Sequence, residues 1–205
     1  MKRRDFLKVS ASGGLLLGFG LTAGLPVRAE IRDTLTTNAP FAPNAFLRID
    51  RTGKVAFVSP MIEMGQGTYT SLPMLIAEEL EVDVNKVAIE HAPPADAYIN
   101  PLIGWQATGA STAIRAMYVP LRTAGATARV MLVTAAAQRW KVDPSTCRVE
   151  NGVVVHAPTG RKLAYGALVD AAAKLPVPEK VAIKNPGEFK LVGKPHRRLD
   201  SAGKV

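Results

Sequence analysis

Glu63-Met64-Gly65-Gln66-Gly67-Thr68 is the feature that most constrains this fold, because it sets a glutamine between two glycines, after a β-prone hairpin and before an apolar helical run. Gly65 and Gly67 lack a Cβ, so the backbone there is free to take positive φ and its N–H groups can approach a ligand closely. The helix-type residues that follow put the loop near the positive end of a helix, where an anionic group is stabilised. The same triplet also suits a plain tight turn.

The flanks fix the setting. Residues 46–50 and 55–59 are short β-prone runs around Arg51-Thr52-Gly53-Lys54, which reads as a hairpin leading to the loop from a sheet edge, with Pro60 ending its second strand. Residues 30–45, rich in Thr, Asn, Ala and Pro, read as a linker. Beyond the loop, Leu72, Leu75, Ile76 and Leu80 recur at helical spacing, with Pro73 placed in an opening turn. Glu78, Glu79 and Glu81 read as the solvated face of that helix. Residues 86–91 alternate as a strand. His91, His156 and His196 are scattered and lack metal-ligand spacing.

A second loop, Asn100-Pro-Leu-Ile-Gly-Trp-Gln-Ala-Thr-Gly-Ala110, carries an aromatic, amides and two glycines. Ser111-Thr112 then reads as an N-cap pair for a helix reaching about Trp140. Its many alanines and Gly125 invite another backbone to pack close, and Pro120 is expected to kink or split it. Both loops feed helix N-termini and both are rich in hydroxyl and amide groups. Such a pair suits gripping a large, polar, anionic ligand through many neutral hydrogen bonds. Neither loop contains an obvious general acid or base.

The formal net charge of +9 over 205 residues is concentrated at the two ends. The middle is close to neutral, unlike a nucleic-acid-binding domain. Cys147 is the single cysteine, which excludes an intrachain disulfide framework and a cysteine-clustered metal site; it reads as a buried structural thiol. Residues 1–29 combine a basic start, a short apolar middle and a small-residue exit, the pattern of an export signal. Arg3-Arg4 followed by Phe6-Leu7-Lys8 resembles a twin-arginine signal, a route that carries folded, cofactor-loaded proteins to the periplasm. An uncleaved membrane anchor is the alternative.

Further on, Asn151-Gly152 marks a β-hairpin over residues 148–156, and residues 165–174 read as a short alanine-rich helix. Residues 175–187 form a proline-bearing linker, and a new segment with a basic run opens at Phe189.

Glu63-Met64-Gly65-Gln66-Gly67, the Thr68-x-Thr70 after it and Ala107-Thr108-Gly109-Ala110-Ser111-Thr112 resemble the molybdopterin-binding subunits of xanthine dehydrogenase-type hydroxylases. Within that family they look most like the large subunits of isoquinoline 1-oxidoreductase and periplasmic aldehyde dehydrogenases. The resemblance implies an α+β fold of mixed hairpins and helices, part of a molybdopterin-binding domain preceded by an export signal. It divides the chain into a signal (1–29), a linker (30–45), the domain (46–175) and the start of an α/β hammerhead-type domain (176–205).

It also implies molybdopterin, free or as the cytosine dinucleotide, with molybdenum held by cofactor sulfurs rather than by protein ligands. Gly65, Gln66 and Gly67 would line the pterin or its phosphate, with Ala110, Ser111 and Thr112 facing them. The implied reaction is hydroxylation of N-heterocycles or oxidation of aldehydes with water-derived oxygen, electrons leaving through a partner subunit with two [2Fe–2S] clusters. The family's catalytic glutamate has no counterpart here, since Glu179 and Glu188 sit in unrelated contexts, so no catalytic residue is assigned. The chain is accordingly expected to be an amino-terminal fragment of such an enzyme; the alternative is an exported binding or scaffold module without catalysis.

Overall fold

In the computed structural model, which describes residues 41–201, the apolar runs around the first loop build a βαβ unit extended by a hairpin. β1 (Phe41–Asn44), β2 (Leu47–Ile49), β3 (Val55–Ser59) and β4 (Ala88–His91) lie in the order β1-β2-β3-β4. The first two pairings are antiparallel and β3–β4 is parallel. A parallel pair needs a long crossover, and α1 (Thr68–Leu80) supplies it. The hairpin over residues 46–59 therefore forms as its turn chemistry indicates, the Asp50 carboxylate accepting from the Thr52 and Lys54 N–H groups. Yet β3 is an inner strand, so the loop leaves from the middle of the sheet and not from its edge.

β1 falls inside the stretch expected to be linker: Phe41 is fully buried, and Pro43 is tolerated because β1 is the edge strand. The export signal and the rest of that linker lie outside the described residues. Among the described residues no helix is long and apolar enough to cross a membrane.

α2 (Ala113–Trp140) runs unbroken through Pro120, so the proline does not split it. Pro73, expected in the opening turn of α1, is its sixth residue. The two helices pack so closely that a Cβ added at Gly125 would lie 2.7 Å from the Ile76 carbonyl oxygen and 3.0 Å from Glu79 Cβ. Gly125→Ala is expected to destabilise the fold by about 1–3 kcal/mol through forced separation of the helices, measurable as a lower urea midpoint with unchanged slope.

A second, antiparallel sheet, β5 (Cys147–Glu150), β6 (Val153–His156) and β7 (Lys162–Ala164), follows α2. Its first turn is the Asn151-Gly152 pair, both at positive φ (47° and 75°), as a two-residue hairpin requires. Cys147 opens β5 half-buried, not fully enclosed. The run at 165–174 is helical only in part, a 3₁₀ turn over Tyr165–Ala167 and then α3 (Val169–Ala172). Buried Tyr165 donates its hydroxyl to the Leu80 carbonyl at 2.7 Å, tying this region to the end of α1.

The reading of Glu78, Glu79 and Glu81 as a solvated face is overturned. Glu78 and Glu79 are 2% and 0% exposed. Residues 184–199 return along α1 as a strap, and these carboxylates anchor it. Glu78 accepts from the Lys190, Leu191 and Val192 N–H groups and from Lys184 Nζ at 2.8 Å. Glu79 accepts from Arg122 Nε at 2.9 Å and from the Lys184 N–H at 3.1 Å, while Arg122 Nη2 donates to the Lys184 carbonyl. Glu81 pairs with Lys184 and Lys190. Burial pushes the Glu78 carboxyl upward, but Lys184 and the three strap N–H groups outweigh it and hold its pKa at about 2.

Candidate functional site

The two loops meet. Gln66, Thr68 and Ser71 from the first side and Thr108, Gly109, Ser111 and Thr112 from the second line a pocket of about 440 Å³, with Met64 and Ile114 at its apolar margin. Thr108 Oγ1 accepts the Ile62 N–H at 2.8 Å, a direct bond between the loops. Of the six site residues named from sequence, Gln66, Ser111 and Thr112 line the pocket; Gly65, Gly67 and Ala110 shape the loops that carry them.

The first loop adopts the backbone its glycines permit, with φ of 109° at Gly65 and 87° at Gly67. The anionic group at the start of α1 is the protein's own. Glu63 folds back so that Oε1 accepts from the Gly65 and Gly67 N–H groups at 2.7 and 3.0 Å, and Oε2 from the Tyr69 N–H at 3.0 Å. Arg198 Nη2 donates to the same carboxylate at 3.0 Å. Burial raises the Glu63 pKa, and these N–H groups together with Arg198 lower it further, to about 2. Gln66 staples the loop: Oε1 accepts the Met64 N–H at 2.6 Å and Nε2 donates to the Ile62 carbonyl at 2.8 Å. Its second amide hydrogen remains for a ligand.

The second loop is open where the first is closed. Thr112 holds the cap position of α2 but has helical backbone and makes no capping bond to the first turn, so the expected Ser111-Thr112 N-cap pair does not form. Thr112 Oγ1 instead donates to the Gly109 carbonyl and accepts from Asn100 Nδ2, both at 2.7 Å. Asn100 is fully buried, and its Oδ1 accepts the Leu102 N–H, so one amide organises the loop from within. Ala110 and Ser111 both sit at φ 52°, a left-handed pair that non-glycine residues adopt at a cost of about 1 kcal/mol each. Among the described residues, the N–H groups of Ala113, Ile114 and Arg115 at the start of α2 have no acceptor.

A ligand's anionic group therefore fits at α2, where donors are free and the helix dipole is favourable, and not at α1, where Glu63 already sits. No three His, Cys, Asp or Glu side chains among the described residues converge as metal ligands. Glu188 accepts the Asn185 N–H at 2.6 Å in a capping box, a structural use.

Sequence reasoning quoted Glu63, Asn100 and Thr108 only as motif or loop positions and missed Arg198, although all four build the site. For Glu63 a signal existed: a carboxylate shortly before a glycine turn and a helix start is placed to cap that helix.

Fold and site together form an α+β domain with a pocket lined by hydroxyls, an amide and the start of α2. A family model described as "Molybdopterin cofactor-binding domain" matches residues 7–202, and the chain belongs to that family. It is 37% identical over 182 residues to the beta chain of the isoquinoline 1-oxidoreductase of Brevundimonas diminuta, covering 87% of this chain and 22% of that protein. To a nicotinate dehydrogenase subunit of Pseudomonas putida it is 33% identical over 161 residues, covering 78% of this chain and 13% of that protein. The chain thus spans less than a quarter of the length of these curated relatives. Among solved structures, quinoline 2-oxidoreductase from Pseudomonas putida 86 aligns with 61% of this chain and 15% of its own, at 23% identity and a TM-score of 0.46.

Proposed function

We propose that this domain holds the molybdenum cofactor of an oxidoreductase acting on N-heterocycles or aldehydes. The observation that carries the reading is the pocket between the two loops, with unpaired N–H groups at α2 beside the hydroxyls of Thr108, Ser111 and Thr112. The donor set is neutral and multiple, as a pterin with a phosphate requires, in either the free or the cytosine dinucleotide form. When bound, such a cofactor supplies the two-electron chemistry that places a water-derived oxygen on the substrate carbon. The chain's own residues do the holding. The Ala113, Ile114 and Arg115 N–H groups bind the anionic end; Gln66, Ser111 and Thr112 orient the ring; Gly65, Gly67 and Ala110 set the loop paths. Met64 and Ile114 add exposed apolar surface at the pocket margin.

The reading includes an iron–sulfur partner subunit as the electron outlet, supported by the relatives' description as subunits. Export by the twin-arginine route rests on Arg3-Arg4. Exchanging both for lysine is expected to keep the protein in the cytoplasm, as cell fractionation would show; unchanged periplasmic recovery would count against that route.

The cofactor reading is tested by producing the full chain in a host that makes the cofactor and assaying released pterin and molybdenum. Wild type is expected to retain pterin, and Ser111→Asp, which sets a negative charge beside the α2 N-terminus, to retain about tenfold less. Equal retention by both proteins, or none by wild type, would sink it.

A further inference from the structure

Arg198 stands near the end of the strap, and its whole guanidinium is engaged. Nη1 donates to the Gly65 carbonyl at 2.9 Å and Nη2 to Glu63 Oε1 at 3.0 Å. Nε and Nη2 hold Asp200 in a fork at 3.1 and 3.0 Å. Beside it, the Leu199 N–H donates to Thr70 Oγ1 at 3.0 Å, fixing the strap to the first turn of α1. The carboxylate that Arg198 grips is the one that receives the Gly65, Gly67 and Tyr69 N–H groups. A Cβ added at Gly65 or Gly67 would meet nothing within 4 Å, so polar contacts and not packing hold this loop.

We propose that Arg198 is a positioning residue for the 65–67 loop: through Glu63 and the Gly65 carbonyl it fixes the direction of the wall the loop gives to the pocket, coupling the strap to that pocket. A planar guanidinium serves a carbonyl and two carboxylates at once, whereas a lysine ammonium is a point charge without that fork. The positioning stands on these contacts; its consequence for a ligand rests on the cofactor reading above.

The test compares the full chain as wild type, Arg198→Ala and Arg198→Lys by two measurements, amide hydrogen exchange and titration with a pterin phosphate. In Arg198→Ala the Gly65, Gly67 and Tyr69 amides are expected to exchange about tenfold faster while amides in the middle of α2 keep their rates. Arg198→Lys recovers part of that protection. Pterin phosphate binding weakens in the same order, by about tenfold for the alanine variant. Unchanged exchange at the three loop amides overturns the proposal, as does equal acceleration throughout α2, the result of general destabilisation. If the loop responds as expected but wild type binds no pterin phosphate, the positioning role stands and the cofactor reading of the pocket falls.

Discussion

Glu78→Ala is expected to lower stability by about 3–5 kcal/mol, with a Tm drop on the order of 10 °C, the largest effect of any single substitution considered for this chain. The carboxylate is enclosed and receives four donors, three of them backbone N–H groups of the strap. Truncation leaves those N–H groups without their acceptor and strips Lys184, itself nearly buried, of one of its two partners. Urea unfolding of wild type and variant measures the difference. A loss under about 1 kcal/mol would mean that the strap detaches without cost to the domain. Glu78→Gln keeps the shape and one acceptor, so its loss should be smaller.

Acid is expected to weaken the fold through Glu63 and Glu78 together. Both have folded-state pKa values lowered to about 2 from an ordinary 4.5. A depressed carboxyl contributes stability that is fully present above the unfolded-state value and is lost as pH falls through the folded-state value. The window is therefore between pH 4.5 and 2. Within it wild type should lose stability steeply, and Glu63→Gln should show a shallower acid slope from a lower starting point. At neutral pH that variant is expected to be weaker by about 2–3 kcal/mol, because an amide replaces the charged acceptor of three N–H groups and sets an NH₂ against Arg198. Denaturant midpoints at pH 6 and pH 3 decide it; parallel slopes for the two proteins would contradict the assignment.

The hairpins, the βα loop and the long helix were legible because each is written locally. Gly53 and Asn151-Gly152 mark turns, and the apolar spacing of residues 72–80 marks α1. The parallel pairing of β3 with β4 was not legible, since pairing across a crossover depends on tertiary packing. The error over Glu78 and Glu79 has the same origin: their partners lie more than forty residues away, at Arg122, Lys184 and 190–192, and nothing in the helix's own periodicity reports them. The glycines of the first loop pointed correctly to positive φ, but the anion expected at that helix start was a ligand's. That the anion is Glu63 required the three-dimensional path of the loop. Asn100 and Arg198 act through contacts invisible to any short motif.

The close approach at Gly125 makes the pocket a matter of gauge. α1 and α2 both begin at the pocket, and they are held at fixed separation where Gly125 meets Ile76. Ile76 is about 12 Å along α1 from Thr68, and Gly125 about 18 Å along α2 from Ala113. The spacing of the helices at that point is one geometric constraint on the distance between the pocket's walls. The contact that spaces the two helices thus lies in the interior of the domain, several turns from the residues that line the pocket.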